Sequence, residues 1–170
     1  MNIVNRGSGK SKGRTSWTGI PERGDYKAVI EYLKNHTVKM THLLVSGYSF
    51  GSMIAASMID YEGLPVSSSF LLISYPLNVQ WALASVKSSY YTQQVTRLLK
   101  DGQHAVLVIA GDSDNFTRFS SYESWVKDRA NTVEFVAMEE MDHFWFNYEH
   151  ELVHHVDAWL GRQPWAKPAE

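Results

Sequence analysis

No stretch of this chain constrains its fold more than Gly47-Tyr48-Ser49-Phe50-Gly51. A serine with a glycine two places to either side permits the sharp strand-to-helix turn that exposes a nucleophilic hydroxyl. The flanks supply both elements. His42-Leu43-Leu44-Val45-Ser46 before it is apolar and β-compatible, and Ser52-Met53-Ile54-Ala55-Ala56-Ser57-Met58-Ile59 after it reads as a buried helix.

A nucleophilic serine needs a base to take its proton and a carboxylate to orient that base, and on a strand–elbow–helix unit the chain order is serine, acid, histidine. The acid lies after Ala105-Val106-Leu107-Val108-Ile109-Ala110, a run of strand length that ends in Gly111-Asp112-Ser113-Asp114-Asn115. Asp114 is favoured. Asp112 stays open as the alternative, but it follows the glycine so closely that it can serve the turn alone. The base is His143, just past the alternating run Thr132-Val133-Glu134-Phe135-Val136-Ala137-Met138, at a strand end where open α/β sheets gather functional loops. His36, His42 and His104 precede the acid loop. His150, His154 and His155 share a helical pattern with Leu152, Val153, Val156, Trp159 and Leu160, where face or core packing is their expected job.

Strands are expected at Asn2–Asn5, His42–Ser46, Phe70–Ser74, Ala105–Ala110 and Val133–Met138, and helices at Pro21–Lys34, Gly51–Asp60, Tyr91–Leu99, Ser120–Ala130 and Tyr148–Gly161. Strands that alternate with helices imply parallel pairing through right-handed crossovers, hence a three-layer αβα unit with a mostly parallel sheet covered on both faces. No repeat or long linker divides residues 1–170, so one domain is expected.

Elbow, acid loop and histidine loop together resemble the α/β-hydrolase superfamily, in particular its small serine hydrolases without a large lid. Asn5-Arg6-Gly7-Ser8-Gly9-Lys10-Ser11 is similar to the stretch that follows the fourth strand in many of them, and Pro21–Leu33, with Asp25 near its start, to the next helix. The resemblance implies Ser49 as nucleophile, His143 as base, Asp114 as orienting acid and the Phe50 N–H as an oxyanion donor. It implies a small acyl substrate and no cofactor. It puts the lid position at residues 75–89, where Leu77, Trp81 and Leu83, with Tyr48 and Phe50 beside the nucleophile, are candidate substrate-binding residues. Packing of that apolar loop onto the core is the competing role. If Met1–Asn5 is the fourth strand, the chain is expected to be a shortened form of a longer enzyme. It would then lack the first three strands and the loop carrying a second oxyanion donor. Loss of one such donor lowers turnover by about 10²–10³.

Composition narrows the partners. Sixteen Lys and Arg against eighteen Asp and Glu give a net charge of −2, no basis for binding nucleic acid. Cysteine is absent, which excludes disulfides, thiolate metal sites and cysteine nucleophiles. No run approaches the ~18 apolar residues of a membrane span, and no basic-then-apolar leader opens the chain, so cytoplasm is the default expectation. Asn35-His36-Thr37 and Asn115-Phe116-Thr117 match glycosylation acceptors, which matter only in a secreted chain. Gly7-Ser8-Gly9-Lys10-Ser11 imitates the end of a phosphate-binding loop, but Val4 stands where the first glycine is required and Gly13-Arg14-Thr15 delays any helix. Asp142-His143 and His154-His155 are too local to complete a metal site. Two functions remain: a serine hydrolase acting on esters or related acyl bonds, or a non-catalytic binding module on the same fold.

Overall fold

The expected strands at 42–46, 70–74 and 105–110 are runs of apolar residues without polar alternation at their centres, the pattern of a strand covered on both faces, whereas Val133–Met138 alternates through Glu134. The computed structural model of the protein describes residues 6–36, 40–65, 67–127, 129 and 131–166, and there these runs form β1 (Leu43–Tyr48), β2 (Ser68–Ile73), β3 (Val106–Gly111) and β4 (Val133–Met138). They make one four-stranded sheet in the order β1-β2-β3-β4, parallel at every pair. The strand expected at Asn2–Asn5 lies outside the described residues.

The helices are α1 (Ile20–His36), α2 (Phe50–Ala56), α3 (Gln80–Ala84), α4 (Ser88–Lys100), α5 (Phe119–Val126) and α6 (Glu149–Arg162). The helix expected to run from Gly51 to Asp60 changes character midway, α2 giving way at Ser57 to a 3₁₀ turn that ends at Asp60. In that turn Ser57 Oγ donates back to the Ile54 carbonyl at 2.7 Å, a local competitor for the helical ladder. α3 arises inside residues 75–89, so the lid position holds only this short helix and the 3₁₀ turn Ser85–Lys87.

The period of two along each strand sorts the core into two layers. Val45, Phe70, Leu72, Val106, Val108 and Ala110 pack with residues of α1, α2, α4 and α5. Leu71, Leu107, Ile109 and Met138 point the other way, onto Trp159 of α6 and onto Met141 and Trp145 of the loop before it. These four helices, with Ala84 of α3, therefore cover one face and α6 the other. Every residue of β3 is buried, whereas β1 alternates between buried and open positions. β1 pairs with β2 on one side. On its other side no strand is seen among the described residues, and the Tyr26 hydroxyl of α1 donates to the Ser46 carbonyl. Such capping satisfies one acceptor of an otherwise unpaired edge.

The segment before α1 is held by its own polar contacts. Arg6 grips Asp25 through Nε (2.7 Å) and Nη2 (2.5 Å), and buried Glu22 accepts from Ser16 N–H at 2.7 Å and Ser16 Oγ at 2.5 Å. Ser11 N–H donates to the Ser8 carbonyl and Gly7 N–H to the Lys12 carbonyl, so the phosphate-loop imitation is a closed surface loop. Among the described residues no helix begins before Ile20.

Candidate active site

Ser49 follows β1 and precedes α2 in a backbone state with φ 53° and ψ −122°. Non-glycine residues rarely adopt such angles, at a cost of order 1–3 kcal/mol. Two features hold it there. Ser49 N–H donates to the Ile73 carbonyl at 2.9 Å, extending the β1–β2 ladder to the turn itself, and the backbone of Gly51 folds back against Gly47. A Cβ on Gly47 would lie 2.1 Å from the Gly51 carbonyl oxygen, so only glycine fits. Gly51 has no such neighbour within 4 Å of its Cβ position. The two glycines of the motif are not equivalent.

β3 and β4 deliver the other two groups. Beyond Gly111, Asp114 accepts from the N–H of Phe116 at 2.7 Å and of Thr117 at 3.0 Å, both on Oδ1. Its Oδ2 meets His143 Nδ1 at 2.8 Å, and His143 Nε2 meets Ser49 Oγ at 2.8 Å. A carboxylate only accepts, so Nδ1 carries the proton; Nε2 then accepts from the serine hydroxyl. His143 and Asp114 are both buried. Burial pushes the Asp114 carboxyl up, but the hydrogen bonds from His143, Phe116 and Thr117 and the attraction of the imidazole outweigh it and hold the group below the usual carboxylate range. Asp112, the alternative acid, is exposed and its Oδ1 accepts from Ser113 Oγ at 3.0 Å.

The loop carrying His143 is shaped by neighbours that sequence reasoning missed. The Met141 carbonyl passes so close to the end of β3 that a Cβ on Gly111 would lie 2.0 Å from it, and Ser113 N–H donates to that carbonyl at 3.0 Å. Trp145 Nε1 donates to buried Ser74 Oγ at 2.8 Å, pinning the far end of the loop beneath β2. Glu140, Trp145 and Asn147 all take positive φ, so the path is over-determined by these anchors. Three aromatic rings surround the imidazole: Phe116 edge-on at 4.6 Å, Tyr48 tilted at 5.4 Å and Phe144 edge-on at 5.7 Å. Tyr48 also donates its hydroxyl to the His143 carbonyl at 2.9 Å. The only sequence signal for this was aromatic character beside the motif, which reads equally as substrate contact.

Phe50 opens α2, and the N–H of a first helical residue has no intrahelical acceptor. Phe50 follows the serine directly in the chain. Beside it lies a cavity of about 270 Å³, lined by Ser8, Thr15, Trp17, Phe50, Ala82 and Leu83. Of the candidate residues in the lid position, Leu83 lines this cavity, whereas Leu77 packs half-buried against the core and Trp81 is exposed, and neither of these two lines it. Among the described residues no three His, Cys, Asp or Glu side chains cluster as metal ligands, and no helix is long and apolar enough to cross a membrane.

No protein-family model and no curated protein matches the chain. Solved structures do. An alpha-beta serine hydrolase homologue from Coxiella burnetii is 25% identical, with a TM-score of 0.68 over 89% of this chain and 64% of its own. A serine hydrolase without lid from Xanthomonas campestris gives 21%, 0.69, 98% and 66%, and an esterase from Pyrococcus furiosus 18%, 0.64, 91% and 66%. The chain spans about two thirds of the length of each of these neighbours.

Proposed function

We propose that this chain, which has the α/β-hydrolase fold, is a serine hydrolase that cleaves ester or related acyl bonds through an acyl-enzyme on Ser49. One observation carries the reading. An unbroken hydrogen-bond chain runs from the Ser49 hydroxyl through both nitrogens of His143 to a buried carboxylate, with the serine in a strained turn at the rim of the sheet.

In the first half-reaction Ser49 Oγ adds to the substrate carbonyl carbon and its proton passes to His143 Nε2. Asp114 keeps the imidazole in the tautomer that accepts this proton and stabilises the imidazolium that results. The N–H of Phe50 donates to the developing oxyanion. Collapse breaks the bond to the leaving oxygen or nitrogen, which takes the proton back from Nε2. Water, activated by the same imidazole, then releases the acid and restores Ser49.

The test is covalent labelling. A fluorophosphonate probe is expected to modify the folded protein on Ser49, and Ser49→Ala or His143→Ala to abolish the modification. The competing reading, a binding module that keeps the fold without the reaction, draws on the outer side of β1, where no strand is seen among the described residues. A folded sample that resists the probe decides for that module.

A further inference from the structure

The cavity beside Phe50 has a chemistry that narrows the substrate, on the premise that Ser49 is the nucleophile. We propose that it is the acyl-binding site and that it selects short, uncharged acyl groups.

The side of the ester that enters it follows from the proton's path. The proton taken by His143 Nε2 must be handed to the leaving oxygen, so the alcohol has to depart on the imidazole's side of Ser49, among Phe116, Phe144 and Tyr48. None of those rings lines the cavity. With the carbonyl oxygen at the Phe50 N–H, the acyl chain extends past the Phe50 side chain, into the space between the loop before α1 and α3.

Size and lining set the class. At about 270 Å³ the cavity is below the ~300–1,000 Å³ usual for ligand pockets. At roughly 30 Å³ for each water-sized group, it takes an acyl chain of at most about nine heavy atoms. Its walls are the rings of Trp17 and Phe50 with Ala82 and Leu83, and its polar atoms belong to Ser8 and Thr15. Thr15 Oγ already donates to the Arg6 carbonyl at 3.1 Å. Among the described residues no charged side chain lines the space, so an acyl group bearing a carboxylate or ammonium finds no counter-charge from them.

The experiment measures kcat/KM of the whole chain on the p-nitrophenyl esters of acetate, butyrate, hexanoate and decanoate and on the hemisuccinate, with fluorophosphonate labelling in parallel. The expected profile peaks at butyrate or hexanoate, with decanoate and hemisuccinate at least about tenfold lower, the scale of a misfit in an apolar pocket. Two substitutions move the peak. Ala82→Leu fills the cavity and lowers the hexanoate-to-acetate ratio about tenfold. Trp17→Ala opens it and raises the decanoate-to-hexanoate ratio; Trp17 is 78% exposed, so its removal leaves the core intact. Hydrolysis with both ratios indifferent to these substitutions overturns the acyl site and leaves the hydrolase standing. Absence of both turnover and labelling overturns the hydrolase, and the acyl site with it.

Discussion

The two flanks of Ser49 are built differently. Toward His143 the side chains are joined by hydrogen bonds: the carboxylate accepts from two backbone N–H groups and the imidazole, the imidazole reaches the serine, and the backbone carbonyl of His143 itself is held by Tyr48. Toward Phe50 there is a helix N-terminus, an exposed tryptophan and an open cavity, with no hydrogen bond between side chains of its lining. Proton transfer needs atoms fixed to within a fraction of an ångström, and an acyl pocket needs only shape. Rigidity is concentrated on the flank where protons move.

Asp114→Asn attacks the rigid flank at its root and carries the largest expected effect. Asparagine keeps the shape but can donate to Nδ1, favouring the tautomer whose Nε2 bears the proton and cannot take another. A fall in kcat of about 10⁴ is expected for that exchange. The same substitution shows in acid stability. The Asp114 carboxyl is held below its unfolded value, so its contribution is complete above about pH 4 and is lost as pH falls through the lower folded value. Urea titrations of the aspartate protein are expected to lose stability over that range, and those of the asparagine variant to lose less. Equal slopes would mean that the hydrogen bonds to Asp114 do not favour its charged form.

Tyr48→Phe removes one anchor from the same flank and keeps the ring against the imidazole. A single neutral hydrogen bond contributes about 1 kcal/mol, so kcat is expected to fall about fivefold, with KM for a short ester little changed. A rise in KM at constant kcat would instead mark Tyr48 as a substrate contact, the role expected from its place beside the nucleophile.

How much of this was legible follows from distance along the chain. The strands, the parallel sheet and the convergence of Ser49, Asp114 and His143 on one rim follow from local apolar runs and from chain order, which a single sequence displays. Between Asp112 and Asp114 the choice was a matter of turn chemistry; the structure shows the hydrogen bonds to Phe116 and Thr117 that shape the loop around Asp114. Of the cavity only Phe50 and Leu83 were legible, as apolar residues beside the motif and in the lid position. The cavity joins Ser8, Thr15 and Trp17 to Ala82 and Leu83, and no periodicity links a loop before the first helix to a short helix in the lid position. The Tyr48–His143 and Ser74–Trp145 contacts were hidden for the same reason, each joining residues of different loops.

The smallest effect concerns the elbow glycines, which look alike in the motif and differ in the fold. At Gly47 a methyl group meets the Gly51 carbonyl at 2.1 Å, and backbone cannot yield as a flexible side chain can. Gly47→Ala is expected to destabilise the protein by about 2–4 kcal/mol, within the range of severe single substitutions. At Gly51 the methyl group meets nothing within 4 Å, and the position lies in the first turn of α2. There alanine loses less conformational freedom on folding, and a gain of about 0.5–1 kcal/mol is expected. For a chain of this size that is a rise of roughly 1–4 °C in Tm, readable by calorimetry. Alanine at 51 leaves the Phe50 N–H free, so fluorophosphonate labelling should persist. A drop in Tm at Gly51→Ala comparable to that at Gly47→Ala would show that the Phe50 flank is as tightly packed as the His143 flank, and the contrast between them would fail.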